Sequence, residues 1–150
     1  MLKVAIDTNY LVALVDEQDA WHSKACKIRD ALKKAKAEYI YLDCVFNETI
    51  SVLAKRLEEK GQSERLVTLL SNLEQFVPED KITWVSQQGQ NLLQEILGLV
   101  RSSKGSLNFH DSLIALVLRE SGIKYLVSFD SDFDGINWLE RIYEERAVQR

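Results

Sequence analysis

The chain has a single proline, six glycines and two cysteines in 150 residues, and each shortage removes a class of protein. Proline and glycine are too few and too scattered for a linker or a low-complexity block, and no internal repeat is present. The two cysteines, Cys26 and Cys44, lie eighteen positions apart. They form neither a CxxC pair nor the Cys/His spacing of a zinc site, so they read as buried reduced thiols. No apolar run approaches the length of a membrane span. The N-terminal MLKVAID is too short, and lacks the cleavage site, to read as a signal peptide, so a cytoplasmic protein is the expectation. Positive charge is also short: the formal net charge is −4 and the isoelectric point about 5.3. There is no overall basic field to attract nucleic acid, and any such contact must use local patches. Walker A and G-x-G-x-x-G loops are missing, so a bound nucleotide cofactor is not suggested.

What remains is ordinary for a globular protein. Hydrophobic residues make up 46% and charged residues 28%, enough for one domain over 1–150 with a full core. Lys3-Val4-Ala5-Ile6 reads as a strand closed by Asp7, followed by a short apolar helix around Leu11 to Val15 and an amphipathic helix from Asp19 to Lys36. Tyr39 to Leu42 reads as a second strand. Val45 to Lys60 and Gln62 to Val77 read as a helical hairpin, turned at Gly61 and closed by Pro78. A third strand over 81–85, a helix over 90–102 and a joint at 104–106 follow. His110 to Ser121 is a helix stopped by Gly122, Tyr125 to Phe129 a fourth strand, and Ile136 to Leu139 a short fifth one. Strands alternating with helices imply a mainly parallel sheet of four to five strands, covered on both faces and joined by right-handed crossovers.

Two of these strands stop at an aspartate, VAID at Asp7 and VSFD at Asp130. As parallel neighbours they would bring both acids to one sheet edge, where open α/β sheets carry their sites. The helix opened by Asp111 should start near that edge. Glu48 lies early in its helix on the border of the apolar face. Singly, each acid has a plain alternative. Asp7 and Asp111 suit helix N-termini, Glu48 a solvated helix face, and Asp132 and Asp134 a turn. Together they would repel one another unless a hard divalent cation balanced them. Mg²⁺ or Mn²⁺ fits oxygen ligands best and can polarise a phosphoryl oxygen and acidify water, the chemistry of phosphodiester hydrolysis.

The segments AIDTNYLVAL, FNET, FHDSLIALVLRESGIKYLVSFD and DSDFD, in this order, resemble the PIN-domain family, in particular the small stand-alone VapC-type toxin ribonucleases. The resemblance spans nearly the whole chain. It matches Asp7, Glu48, Asp111 and Asp130 to the family's acidic quartet, and Thr8 and Asn9 to the small polar residues after its first Asp. Asp132 matches a frequent further acid, either an outer or an alternative ligand. The resemblance implies a three-layer α/β/α sandwich, a divalent-metal-dependent endoribonuclease acting on RNA, a homodimer, and a cognate antitoxin as partner. In that reading Asp7, Asp111 and Asp130 coordinate the metal, and Glu48 acts through water. Ser128 stands where many relatives have Thr, and His110 has no motif role beyond structure or the rim of the site.

Other chemistries fit less well. A dehalogenase-like aspartyl-phosphate phosphatase needs a second Asp where Asn9 stands, and a receiver-like one needs a Lys at a late strand end, whereas Lys124 precedes its strand. His22 and His110 sit in helical contexts with no G-x-S-x-G elbow, against a serine or cysteine triad. An RNA-processing or RNA-binding module without a toxin role remains the alternative. Lys55, Arg56, Arg101, Lys104 and Arg119 are candidate phosphate contacts or simply solvated surface, and the Lys33–Lys36 run suits a helix C-terminus. Leu57, Leu66, Val67 and Phe76 exceed what one core stripe needs, so the hairpin either packs fully inward or meets a partner.

Overall fold

The computed structural model describes residues 1–149. Its five strands are β1 (Lys3–Ile6), β2 (Glu38–Leu42), β3 (Ile82–Thr83), β4 (Tyr125–Val127) and β5 (Glu140–Ile142). They form one sheet in the order β3-β2-β1-β4-β5, and every pair is parallel. Seven α-helices accompany them: α1 (Thr8–Val15), α2 (His22–Lys34), α3 (Asp43–Glu59), α4 (Leu66–Phe76), α5 (Ser86–Asn91), α6 (Leu93–Ser102) and α7 (Phe109–Glu120). Val4, Ala5 and Ile6 are all buried. Successive strand residues point to opposite faces, so β1 is covered on both sides, the signature of the middle layer of an α/β/α sandwich. In the outer layers α1 packs against α2, α3 and α4, and α7 against α5 and α6.

The strand order places the site. From β1 the chain winds outward through β2 to β3, then returns to lay β4 on the other side of β1. Val4, Ala5 and Ile6 pair with Tyr125, Leu126 and Val127. This is the point where the winding direction reverses, and the crevice above the carboxyl ends of β1 and β4 is where such sheets bind ligands.

Several element boundaries differ from the sequence expectations. The fifth strand begins at Glu140, beyond the expected Ile136–Leu139, because those four residues are in turns: Ile136 N–H donates to Phe133 O and Leu139 N–H to Ile136 O. Trp138 meanwhile donates its indole N–H to Ala115 O on α7 at 2.8 Å. The third strand shrinks to Ile82–Thr83, since Val85 N–H is taken by the Asp43 carboxylate at 2.8 Å. A helical turn precedes the expected helix over 90–102. Ser86–Asn91 has no apolar period to reveal it, and the chain leaves helical geometry at Leu92 (φ −98°, ψ 8°) before α6 resumes. The second arm of the hairpin opens with a 3-10 turn, Ser63–Arg65, before α4. Gly61 and Gly122 adopt φ +65° and +66°, the left-handed geometry that ends a helix without a Cβ penalty.

Among the described residues no helix is long and apolar enough to cross a membrane. Cys26 and Cys44 are free thiols, each only half-buried, short of the full burial expected. Burial pushes the Cys44 thiol up to about 12, which keeps it protonated and unreactive.

Candidate active site

Asp7 follows β1 directly, and its backbone N–H donates to Val127 O at 3.0 Å, so the ladder between β1 and β4 runs one residue past the strand. Its extended backbone (φ −92°, ψ 160°) turns the chain into α1, and Oδ1 accepts from Thr8 N–H at 2.8 Å. Oδ2 accepts from the Ser128 hydroxyl at 2.6 Å. That hydroxyl in turn accepts from Asp130 N–H at 3.0 Å and from the Asn9 amide at 3.4 Å. Asn9 closes the ring by accepting from Phe129 N–H at 3.0 Å. Ser128 is fully buried. One hydroxyl therefore joins the Asp7 carboxylate to the backbone of Asp130, which lies three residues past β4 because that strand ends at Val127 rather than at the expected Phe129.

Glu48 reaches the same place from α3. The Thr8 hydroxyl donates to its Oε2 at 2.7 Å, leaving Oε1 without a partner among the described residues. Asp111 sits in the first turn of α7, held by a capping box: Asn108 Oδ1 accepts from Asp111 N–H at 2.9 Å, and Asp111 Oδ2 accepts from Asn108 N–H at 3.1 Å. Asn108 went unremarked in the sequence, although a polar residue three positions before an acid, leading into an apolar helix, is the signature of this cap. The cap uses one oxygen of Asp111 and leaves Oδ1 without a partner among the described residues. Asp130 Oδ1 accepts from Asp132 N–H at 2.9 Å, which starts the 3-10 turn Ser131–Gly135. Phe133 within that turn is buried and anchors it.

The electrostatics show that these groups share one field. Asp7 is 5% exposed, and its carboxyl is pushed up to about 6: burial is the main cause, the bonds from Ser128 and Thr8 oppose it, and the charges of Asp111 and Glu48 add to it. The Asp111 carboxyl is also raised, first by burial, against the Asn108 backbone bond, with Asp130, Glu48 and Asp132 contributing repulsion. Like charges shift one another this way only at short range.

The fold thus brings Asp7, Glu48, Asp111 and Asp130 within electrostatic reach of one another, with Thr8 hydrogen-bonded to Asp7 and Glu48, Asn9 to Ser128 and Phe129, and Asp132 exposed. Asp134 is drawn away. Its carboxylate forms two 2.8 Å bonds to the Arg141 guanidinium, which holds its carboxyl below the usual range. His110 is exposed and lines a groove beside Glu48 that also includes Asn47 and Phe109. His22 is half-buried, with Nδ1 at 2.7 Å from Ala13 O. Among the candidate cations, Arg56 pairs with Asp19 at 2.8 Å and lines a second groove shared with Asn9 and Phe129. Lys55 pairs with Glu59, and Arg119 pairs with Glu95 at the far end of α7 from Asp111.

None of the four central acids forms an ion pair with Lys, Arg or His among the described residues. Their donor set is entirely oxygen and anionic, the set a hard divalent cation prefers. The side chains as they stand make no ready-made cage: no three His, Cys, Asp or Glu residues among the described residues converge closely enough for one.

A family model described as the PIN domain matches residues 4–139. The crystal structure of Mycobacterium tuberculosis VapC20, a toxin that cleaves the sarcin-ricin loop, superposes with a TM-score of 0.65. It shares 21% identity, over 91% of this chain and 97% of that one, a likeness of fold. No curated protein matches the sequence.

Proposed function

The chain belongs to the PIN-domain family, and from that premise we propose that it is an endoribonuclease, dependent on Mg²⁺ or Mn²⁺, that hydrolyses RNA phosphodiester bonds as the toxin of a toxin–antitoxin pair. The observation that carries the proposal is the bond network in which Ser128 joins the Asp7 carboxylate to the Asp130 backbone while Thr8 ties in Glu48, leaving a set of carboxylates with no Lys, Arg or His among the described residues to balance them. A folded protein tolerates such repulsion where function needs it. The role of the Mycobacterium tuberculosis neighbour as an RNA-cleaving toxin supports the toxin assignment.

In this reading Asp7, Asp111 and Asp130 hold the ion and Asp132 is an alternative ligand. When bound, the ion supplies charge that polarises a phosphoryl oxygen and makes a nearby water more acidic. The protein's own groups do the rest. Glu48, with Oε2 fixed by Thr8, offers Oε1 to orient the attacking water and accept its proton. Ser128 holds the Asp7 carboxylate and the Asp130 backbone, and Asn9 braces Ser128 and Phe129 beside them. A cognate antitoxin or a second copy of the chain would suit the outer face of the α3–α4 hairpin, where Val67 is 75% exposed.

Cleavage of single-stranded RNA that needs Mg²⁺ or Mn²⁺, stops with EDTA and disappears in Asp7→Asn is the expected result. The products should carry 5′-phosphate and 3′-hydroxyl ends. A 2′,3′-cyclic phosphate would mean that the RNA's own 2′-hydroxyl attacked, and the hydrolytic reading would be wrong. The lack of a ready-made cage among the described residues favours a second reading, a PIN-fold module that binds or helps process RNA without toxin action. RNA binding that persists in EDTA, with no cleavage at any metal concentration, would select it.

A further inference from the structure

Beside the acids, where α2 begins, aromatic rings and a lysine form a cluster open to solvent. Trp21 is 45% exposed. It meets the ring of Phe129 at 4.3 Å and 88°, an edge-to-face contact that fixes the indole while leaving part of its surface open. The Lys24 ammonium lies 5.9 Å from the Trp21 ring centre and 5.6 Å from each of Phe129 and Tyr143. No acid pairs with Lys24 among the described residues. Phe129 precedes Asp130 in the chain, and its N–H is held by Asn9, so the ring that backs Trp21 is carried by the residue next to Asp130. Trp21, Phe129 and Asn9 line a groove of about 540 Å³ with Arg56 and Lys60, within the size range of pockets that take small organic groups. The two acids in this groove are already neutralised, Asp16 by Arg65 and Asp19 by Arg56, each at 2.8 Å. Lys60 therefore adds net positive charge.

An exposed indole backed by a second ring, with cations beside it and a phosphate-directed acid cluster adjoining it, is how proteins hold single-stranded nucleic acid: bases stack on rings while the cations follow the backbone. The other exposed aromatics lack this combination among the described residues: Trp84 stands at the far edge of the sheet beside β3, the ring of Phe109 pairs with His110, and Tyr143, though beside Lys24 and Arg141, has no second ring backing it. We propose that Trp21, backed by Phe129 and flanked by Lys24, is the stacking platform for a nucleobase of single-stranded RNA next to the phosphate addressed by the carboxylates. This assignment rests on the ribonuclease reading and specifies where its substrate lies.

The test is binding of a single-stranded oligoribonucleotide to the full chain in EDTA, where cleavage cannot intervene. Trp21→Leu should weaken binding about tenfold, whereas Trp21→Phe, which keeps a ring, should stay within about twofold. Lys24→Gln should flatten the dependence of log affinity on log salt by about 0.7. RNA should quench the parent's tryptophan fluorescence, and in Trp21→Phe the quench should vanish while binding persists. This arm holds even if Trp21→Leu folds poorly. Equal affinity for parent and Trp21→Leu, or a quench that survives in Trp21→Phe, overturns the platform and leaves the ribonuclease reading intact. A parent that neither binds nor cleaves RNA overturns both.

Discussion

The Ser128 hydroxyl donates a 2.6 Å hydrogen bond to Asp7 Oδ2 across 121 positions of sequence. The same oxygen accepts from Asp130 N–H, so it couples the ionisation of Asp7 to the backbone that carries Asp130. Ser128→Ala should leave the Asp130 N–H without a partner and remove a bond that favours the charged form of Asp7. Loss of such a buried partner costs about 1–3 kcal/mol, visible in thermal melts. The acid limb of the cleavage profile should also move to higher pH, because Asp7 would hold its proton longer. Ser128→Thr, which keeps the hydroxyl, should restore the profile. An unchanged acid limb in Ser128→Ala would mean that the bond does not govern Asp7.

Stability without metal should fall as pH rises. Asp7 titrates near 6 in the folded chain against an ordinary 3.8, so the folded state binds this proton more tightly than the unfolded one. The stabilisation is complete below about pH 4, is lost between about 4 and about 6, and stays lost above; two pKa units correspond to roughly 3 kcal/mol. Asp111, also raised, acts in the same direction. Thermal melts in EDTA should show the midpoint dropping across this window, and Asp7→Asn should remove most of the slope. A flat profile in the parent would show that Asp7 is not strained.

Divalent cations should reverse this cost. A ligand that binds only the folded state stabilises it by mass action, and ligation requires deprotonated carboxylates. Millimolar Mn²⁺ should therefore raise the melting midpoint at pH 7 clearly more than at pH 5, and EDTA should cancel the gain. Asp7→Asn should show little response. Equal shifts at both pH values would point to non-specific binding.

Glu48→Gln keeps an oxygen to accept the Thr8 hydroxyl but gives up the proton acceptor. Loss of a general base lowers rates by about 10²–10⁴-fold. Steady-state kinetics should show that fall in kcat, with KM and the melting midpoint nearly unchanged. A rate within a factor of ten of the parent would remove Glu48 from proton transfer.

Asp134 should be dispensable for chemistry. Its carboxylate is committed to Arg141, and partly exposed ion pairs of this kind contribute about 1 kcal/mol or less. Asp134→Asn should leave cleavage within about twofold of the parent, whereas Asp130→Asn should abolish it.

Local pattern carried much of the fold. Strand β1, helix α7 and the stops at Gly61 and Gly122 follow from apolar spacing and from glycine's access to positive φ, and they lie where the sequence puts them. The elements that slipped lack such a signal. Ser86–Asn91 has no apolar period, and the strand expected at Ile136–Leu139 gave way to turns when Trp138 found Ala115 O on α7, a partner no local window contains.

At the site the division is similar. Expected strand ends single out Asp7 and Asp130, because a carboxylate after an apolar strand is chemically conspicuous, whereas Glu48 and Asp111 rest on their places early in helices and on the family resemblance. Residue type alone does not separate Asp132 from Asp134; the family resemblance favours Asp132, and the pairing of Asp134 with Arg141 exists only once β5 lies beside β4. Nor could the sequence reveal that Ser128 is the joint between the acids or that Trp21 meets Phe129. Chain order determines which groups are available and how each segment prefers to bend. Which of them touch is decided by the parallel register of β1 with β4, a long-range pairing whose hydrogen bonds and burial form only in the assembled sheet.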